Sequence, residues 1–110
     1  MASNGFYYEV AKSGDDERGN EVTTITCHGR LVSETAPEIK GVVKPLLAAG
    51  GRTVVDLGDV NFLDSSGLGA LVGLKVSAIN QGLCILEFVN MTPRVLELLR
   101  ISNLTQMFKA

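Results

Sequence analysis

The first third of the chain carries an alternating pattern of apolar and polar residues. Residues 6–10 are aromatic and β-branched, and residues 13–20 form a polar break that contains glycine. After this break, Thr23, Ile25 and Cys27 share one face of a strand, and the residues between them point to the other face. The pattern predicts two strands joined by a long loop, which is a β-hairpin that opens the domain.

A helical pattern follows, with its own start and stop signals. Residues 35–38 (TAPE) match the S/T-x-x-E capping box, in which both end side chains bond backbone N–H groups of the first turn. The helix is predicted to run to about Ala49 and to stop at glycines 50 and 51. Pro45 interrupts the pattern, since a proline inside a helix kinks or ends it. The apolar residues recur at helical spacing and predict one stripe that faces a sheet: Ile39, Val42, Val43, Leu46 and Leu47.

The rest of the chain alternates between strand-like and helix-like segments. In order, these are an apolar strand at 53–57, a loop, a helix that ends at about residue 80, a strand at 83–89, a helix from Thr92 to about Arg100, and a last turn or short helix at 104–108. This order predicts an α/β fold in a single domain spanning residues 1–110. We expect a mixed sheet of four to five strands packed with three to four helices, and the helices carry the parallel crossovers.

Composition narrows the range of partners. The 110 residues are 45% hydrophobic and 20% charged, as expected for one compact domain. The formal net charge is −2, aromatic residues make up 5% of the chain, and tryptophan is absent. Because there is neither a basic stripe nor a surface for stacking bases, we expect no nucleic-acid partner and no anionic membrane partner.

The sequence shows no targeting or metal-binding pattern. Residues 1–5 lack the charged and apolar regions of a signal peptide, and no apolar run approaches the roughly 20 residues of a membrane span. We therefore expect a cytoplasmic protein. The two cysteines, Cys27 and Cys84, lack a C-x-x-C spacing, so we expect small core residues rather than a metal site or a disulfide.

The segment NFLDSSGLGA, residues 61–70, joins a strand-like run to a helix-like run and allows four interpretations. The first is a catalytic serine, which in a hydrolase needs G-x-S-x-G and a base oriented by an acid. No glycine lies two residues before Ser65 or Ser66, and the only histidine, His28, lies on an early strand and is expected at the surface. We therefore predict no catalytic residues and a protein that is not an enzyme.

The second interpretation is a phosphate-binding loop. Gly67, Gly69 and Gly73 open a helix, and Glu87 follows twenty residues after the first of them, which imitates a dinucleotide-binding fingerprint. The glycine spacing is looser than that fingerprint, the chain is too short for two mononucleotide-binding halves, and no Walker A sequence is present. A nucleotide-binding module therefore remains an alternative and is not the main prediction.

The third and fourth interpretations are compatible with each other. In the third, Asp64, Ser65 or Ser66 caps the helix. Gly67 and Gly69 then let the helix approach neighbouring backbone, which would explain two residues that each disfavour a helix by about 1 kcal/mol relative to alanine. In the fourth, one serine receives a phosphate, which faces the positive end of the helix dipole and moves the formal charge from −2 to about −4.

The sequence FLDSSGLGALVGL, residues 62–74, resembles the signature of STAS domains, and in particular that of bacterial anti-sigma factor antagonists. The resemblance extends from about residue 6 to residue 108, through the strand end at residues 29–31, the helix start TAPEIK and the closing segment LLRISNLTQMF. It implies a STAS fold and a partner-switching function. In that family the unphosphorylated protein binds an anti-sigma factor that is also a serine kinase, and this binding releases a sigma factor. Phosphorylation abolishes the binding, and a metal-dependent serine phosphatase restores it.

The resemblance also implies which residues carry the function. Ser65, the serine directly after the aspartate, corresponds to the phosphate acceptor of the family. No cofactor and no metal ligand are implied, and we expect a monomer or a weak dimer. The residues expected to contact the partner are Asp64, Ser65, Ser66, Gly67, Leu68, Gly69 and Arg30.

One stretch departs from the family pattern. Family members often read G-E-[LI]-D after the second strand, whereas this chain has Arg30 and Val32 in place of the two acids. The substitution changes the electrostatics of the surface, and Arg30 could attract a phosphate on Ser65. It also keeps open an alternative function, a STAS scaffold or ligand-sensing subunit of a larger signalling assembly in which the serines only cap the helix.

Overall fold

The computed structural model describes residues 5–82 and 84–103, and four strands and three helices lie within them. The elements in chain order are β1 (Phe6–Asp15), β2 (Glu21–Leu31), α1 (Ala36–Ala49), β3 (Gly51–Leu63), α2 (Ser65–Gln81), β4 (Cys84–Val89) and α3 (Pro93–Ile101). The expected α/β fold with a mixed sheet is confirmed. The turn or helix predicted at 104–108 lies outside the described residues.

The four strands form one sheet in the order β1-β2-β3-β4. The hairpin strands β1 and β2 are antiparallel, whereas β2, β3 and β4 are parallel neighbours. The two parallel connections contain α1 and α2, as the alternation of strand-like and helix-like segments predicts. Because the three parallel strands run in the same direction, their carboxyl ends meet at one edge of the sheet, where loops commonly carry function.

The hydrophobic core lies between the sheet and the helices. Ile25 and Cys27 of β2 are fully buried, as are Ile39 and Val43 of α1, so the predicted strand face and helix stripe are both confirmed. Helix α2 packs against α1 and β4 and contributes Leu71 among its buried residues. Among the described residues, no helix combines the length and the apolar character that a membrane crossing needs.

Strand β3 is longer than the sequence pattern indicates. The expected strand stops at residue 57, yet β3 continues to Leu63. Its register with β2 shifts between the pairs Thr26–Asp56 and His28–Asp59, which marks a bulge, and the backbone N–H of Gly58 donates to Asp56 Oδ1 at 2.8 Å. The Gly-Asp segment that resembles a loop is therefore a bulge inside the strand, which carries β3 on to the edge of the sheet.

The capping box predicted for α1 is wrong in its chemistry, although the helix bounds agree. Thr35 occupies the N-cap position, but its hydroxyl makes no hydrogen bond to the first turn. Instead it accepts from Val32 N–H at 2.9 Å and donates to the carbonyl of Arg30 at 2.8 Å. The helix passes through Pro45, which lies on the exposed side of α1. The buried Thr35 hydroxyl thus stabilises the end of β2 and does not cap α1.

Candidate functional site

The predicted motif forms the junction between β3 and α2 at the carboxyl edge of the parallel strands. Asp64 is the N-cap of α2, and its carboxylate Oδ1 accepts from the backbone N–H of Gly67 at 2.9 Å. Its own carbonyl accepts from Leu68 N–H at the same distance. Asp64 is therefore the cap among the three candidates, and the two serines are left as the first residues of the helix.

The end of β2 is joined closely to this junction. The backbone N–H of Asp64 donates to the carbonyl of Leu31 at 3.3 Å, and Leu31 pairs with Leu63 in the sheet register. A Cβ atom on Gly67 would meet that same carbonyl oxygen, so the buried glycine lets α2 lie directly against the strand end. Gly69 has open space around it, and the expected close approach is therefore found at Gly67 and not at Gly69.

The outward face of α2 is small and uncharged. Ser65 and Ser66 are exposed at its beginning, and Ile79 is 61% exposed towards its end. Lys75 is the only charged residue of the helix, and its Nζ donates to the carbonyl of Leu86 at 2.7 Å. We call the exposed residues of α2 before its last two positions the α2 face, which consists of Ser65, Ser66, Gly69, Gly73, Val76 and Ile79.

The predicted site residues divide into two groups. Gly67 and Leu68 are buried and Asp64 is half-buried, so these three position the turn. The exposed residues that a partner would reach directly are Ser65, Ser66, Gly69 and Arg30.

Two arginines meet on one aromatic ring beside this turn. The guanidinium carbon of Arg30 lies 4.9 Å from the centroid of the Phe62 ring, and that of Arg94 lies 5.3 Å from it. Arg30 pairs with Phe62 across the β2–β3 ladder, while Arg94 belongs to the first turn of α3. We call Arg30 and Arg94 the arginine pair. The sequence analysis missed Phe62 and Arg94, because only the fold brings α3 to the end of β3.

The single histidine is not placed as a catalytic base. His28 Nδ1 lies 2.6 Å from Asp59 Oδ2, and Nε2 lies 2.7 Å from Glu9 Oε1. Its ring stacks on Tyr7 at a centroid distance of 4.5 Å, and its side chain is 16% exposed, so His28 lies at the surface but is partly covered. The hydrogen bonds to Asp59 and then to Glu9 raise the pKa of His28 above its usual value. Both ring nitrogens are bound to carboxylates, so His28 has no free nitrogen to take a proton from a serine, which disfavours the catalytic interpretation.

The geometry also disfavours a nucleotide site at this turn. The Gly67 N–H, which a phosphate-binding loop would offer to its ligand, already donates to Asp64. Glu87, the residue in the position of a ribose-binding acid, instead binds Arg52, with Oε2 2.7 Å from Nη2. Arg52 lies near the start of β3, away from the carboxyl edge that holds the turn.

A comparison with protein families places nearly the whole chain in one group. Residues 15–109 match the family described as "Mlab, STAS domain". The matched segment includes β2, the turn at Asp64 and all three helices.

Individual relatives and solved structures point in the same direction. A STAS-domain-containing protein of Pseudomonas aeruginosa is 34% identical over 91 residues, which cover 83% of this chain and 88% of that protein. An anti-sigma-B factor antagonist of Staphylococcus aureus is 35% identical over 77 residues, which cover 69% and 70%. An anti-sigma factor antagonist from Mycobacterium paratuberculosis has the same fold, with a TM-score of 0.73, 21% identity and coverage of 98% and 86%.

Proposed function

The chain belongs to the STAS-domain family, and from that premise we propose that it is an anti-sigma factor antagonist controlled by phosphorylation. In this proposal the unphosphorylated protein binds an anti-sigma factor serine kinase and thereby releases a sigma factor. Phosphorylation of Ser65 ends the binding, and a metal-dependent serine phosphatase restores it. Residues 1–110 act as a single STAS domain with a regulatory role and no catalytic one. The similarity to the anti-sigma-B factor antagonist of Staphylococcus aureus supports this proposal.

The observation that carries the proposal is the position of Ser65. It is the exposed first residue of α2, and the neighbouring Asp64 carboxylate is occupied with capping the helix. The Ser65 hydroxyl is therefore open to a kinase. In the transfer, Ser65 Oγ bonds the γ-phosphorus of ATP, the bond from that phosphorus to the ADP oxygen breaks, and the hydroxyl proton passes to the kinase's base.

The free energies involved indicate that phosphorylation of Ser65 changes partner binding more than it changes the stability of the fold. A dianion at the first turn of α2 stabilises the helix by about 0.3–1 kcal/mol, and repulsion from Asp64 opposes part of this. An unpaired charge in a partner interface costs about 2–5 kcal/mol, which is roughly thirty- to several-thousand-fold in affinity. The fold should therefore hardly change, while the partner dissociates.

Intact-mass analysis tests the acceptor directly. The protein is incubated with ATP and native cytosol as the source of the kinase, alongside the Ser65→Ala and Ser66→Ala variants. We expect one added phosphate on the wild type and on Ser66→Ala, and none on Ser65→Ala. Phosphate that persists on Ser65→Ala would refute the assignment. In the same extract, we expect Ser65→Asp to lose one kinase partner that the wild type retains.

A second function, a STAS scaffold subunit of a larger assembly, is favoured by one observation. The α2 face is uncharged and ends in the exposed apolar side chains Val76 and Ile79, which suit a permanent interface as well as a transient one. If the protein is a scaffold, the wild type and the Ser65→Asp variant should bind the partner equally well. In size-exclusion chromatography it should elute as a stable higher oligomer. The first proposal instead expects a monomer or weak dimer by light scattering.

A further inference from the structure

The arginine pair converges on the strand that leads into the Ser65 turn. Arg30 comes from the end of β2, on one side of β3, and Arg94 comes from α3, which follows β4 on the other side. Both guanidinium groups lie within cation–π range of Phe62, at 4.9 and 5.3 Å from its centroid. Phe62 precedes the cap residue Asp64 by two positions. Two positive charges are thus gathered at the carboxyl edge of the sheet.

Within the described part of the chain, the pair has no counter-charge. Among the described residues, no carboxylate lies within 4.0 Å of Arg30 or Arg94, whereas Arg52 and Arg100 are each paired with a glutamate. Contact with an aromatic face leaves the in-plane N–H donors of a guanidinium available. The arginine pair therefore presents unused donors of the type that binds phosphate in bidentate geometry.

The backbone connects the pair to the proposed acceptor. The hydrogen bond from Asp64 N–H to the Leu31 carbonyl joins the residues directly next to Ser65 and Arg30. The Thr35 hydroxyl fixes the same strand end, since it donates to the Arg30 carbonyl at 2.8 Å. The relative position of Ser65 and Arg30 is therefore set by hydrogen-bonded backbone.

We propose that the arginine pair binds the phosphoryl group of phosphorylated Ser65. This inference rests on the proposed function, because it requires a phosphate at that residue. Two guanidinium groups balance the charge of a phosphomonoester, about −1.5 to −2 at neutral pH, and offset its repulsion from Asp64. Phosphorylation then weakens partner binding in two ways. It adds an anion at Ser65, and it occupies the arginine pair, which the partner could otherwise contact at the carboxyl edge of the sheet.

Phosphoserine placed at residue 65 by codon suppression allows a test without any kinase. The ³¹P chemical shift is titrated from pH 4.5 to 8 in the phosphorylated wild type and in phosphorylated Arg30→Gln/Arg94→Gln. A nearby cation favours the dianion, so we expect the second phosphate pKa to be lower in the wild type by at least about 0.5 unit, or threefold in proton affinity. Arg18→Gln/Arg100→Gln, which removes the same charge at exposed positions outside the arginine pair, should match the wild type.

A second measurement needs no arginine variant. The Nε–H resonances of Arg30 and Arg94 should shift between the unphosphorylated and phosphorylated wild type, while that of Arg100 stays in place. Equal phosphate pKa values in the wild type and in Arg30→Gln/Arg94→Gln, with unmoved arginine resonances, would overturn the inference. With those two results, weaker partner binding by the double variant would assign the arginines to the partner interface and not to the phosphate.

The titration tests the arginine site independently of the proposed function. Codon suppression places phosphoserine at residue 65 without a kinase. The titration therefore reports on the arginine pair whether or not a kinase modifies Ser65 in the cell. A lowered phosphate pKa together with no phosphorylation in cytosol would reject the proposed function and keep the arginine site. Phosphorylation of Ser65 together with an unshifted pKa would do the reverse.

Discussion

A Cβ atom added to Gly67 would lie 2.1 Å from the carbonyl oxygen of Leu31, which is closer than any real side chain approaches backbone. The same oxygen accepts the hydrogen bond from Asp64 N–H. The start of α2 and the end of β2 are therefore in contact through backbone alone, and this contact sets where Ser65 emerges.

Replacement of two glycines by alanine separates this contact from helix propensity. Gly67→Ala should destabilise the protein by about 1–3 kcal/mol, because the new methyl group must displace the strand end or the helix. Gly69→Ala faces open space and should stabilise it by up to about 1 kcal/mol, as alanine favours a helix. Urea unfolding measures both free energies. Equal effects of the two substitutions would mean that the helix does not touch the strand end.

The hydroxyl of Thr35 should matter for stability although it caps no helix. Thr35→Val keeps the shape of the side chain but leaves the buried Val32 N–H and the Arg30 carbonyl without their partner, at a cost of about 1–3 kcal/mol. Glu38→Ala should change the free energy of unfolding by less than about 0.5 kcal/mol, because no capping box exists for it to break. Thr35→Ser should recover most of the loss. A large effect of Glu38→Ala would reinstate the capping box.

The pH dependence of stability should carry a contribution from His28. Its pKa is raised in the folded protein by hydrogen bonds to Asp59 and Glu9, so its contribution is fully present below the unfolded pKa of about 6.5. That contribution is lost as the pH rises through the higher folded pKa. The His28→Gln variant should lack this loss. Since His28 is the only histidine, one NMR titration reports its pKa, which Asp59→Asn should lower more than Glu9→Gln.

Cys27 should be inert in the folded protein. Burial, with a smaller contribution from the charge of Asp56, raises the pKa of its thiol to about 12, so the reactive thiolate is scarce at pH 8. Iodoacetamide should leave Cys27 unmodified in the native state and alkylate it after unfolding in urea, as peptide mass analysis would show. Rapid native alkylation would indicate that β2 opens locally.

The sequence predicts those features that depend on neighbouring residues. The hairpin, a helix cap among Asp64, Ser65 and Ser66, and the start of α3 at Thr92 follow from alternation and from short polar motifs. All three are confirmed, and the structure selects Asp64 as the cap. The features that it missed depend on distant parts of the chain. The extension of β3 beyond residue 57 requires pairing with β2 across a bulge, and the contact of Arg94 with Phe62 requires the connection through α2 and β4.

The hairpin turn at residues 16–20 lies at the opposite edge of the sheet from Ser65, because β2 starts there and runs parallel to β3. A tether attached at this turn would therefore keep the sheet edge that carries Ser65 facing away from a sensor chip or a resin. The turn is held by Asp16, which accepts from the Arg18 and Asn20 N–H groups at 2.9 Å, so an attachment through the exposed side chain of Glu17 would disturb neither bond. Immobilised in this orientation, the protein offers its partners an unobstructed approach.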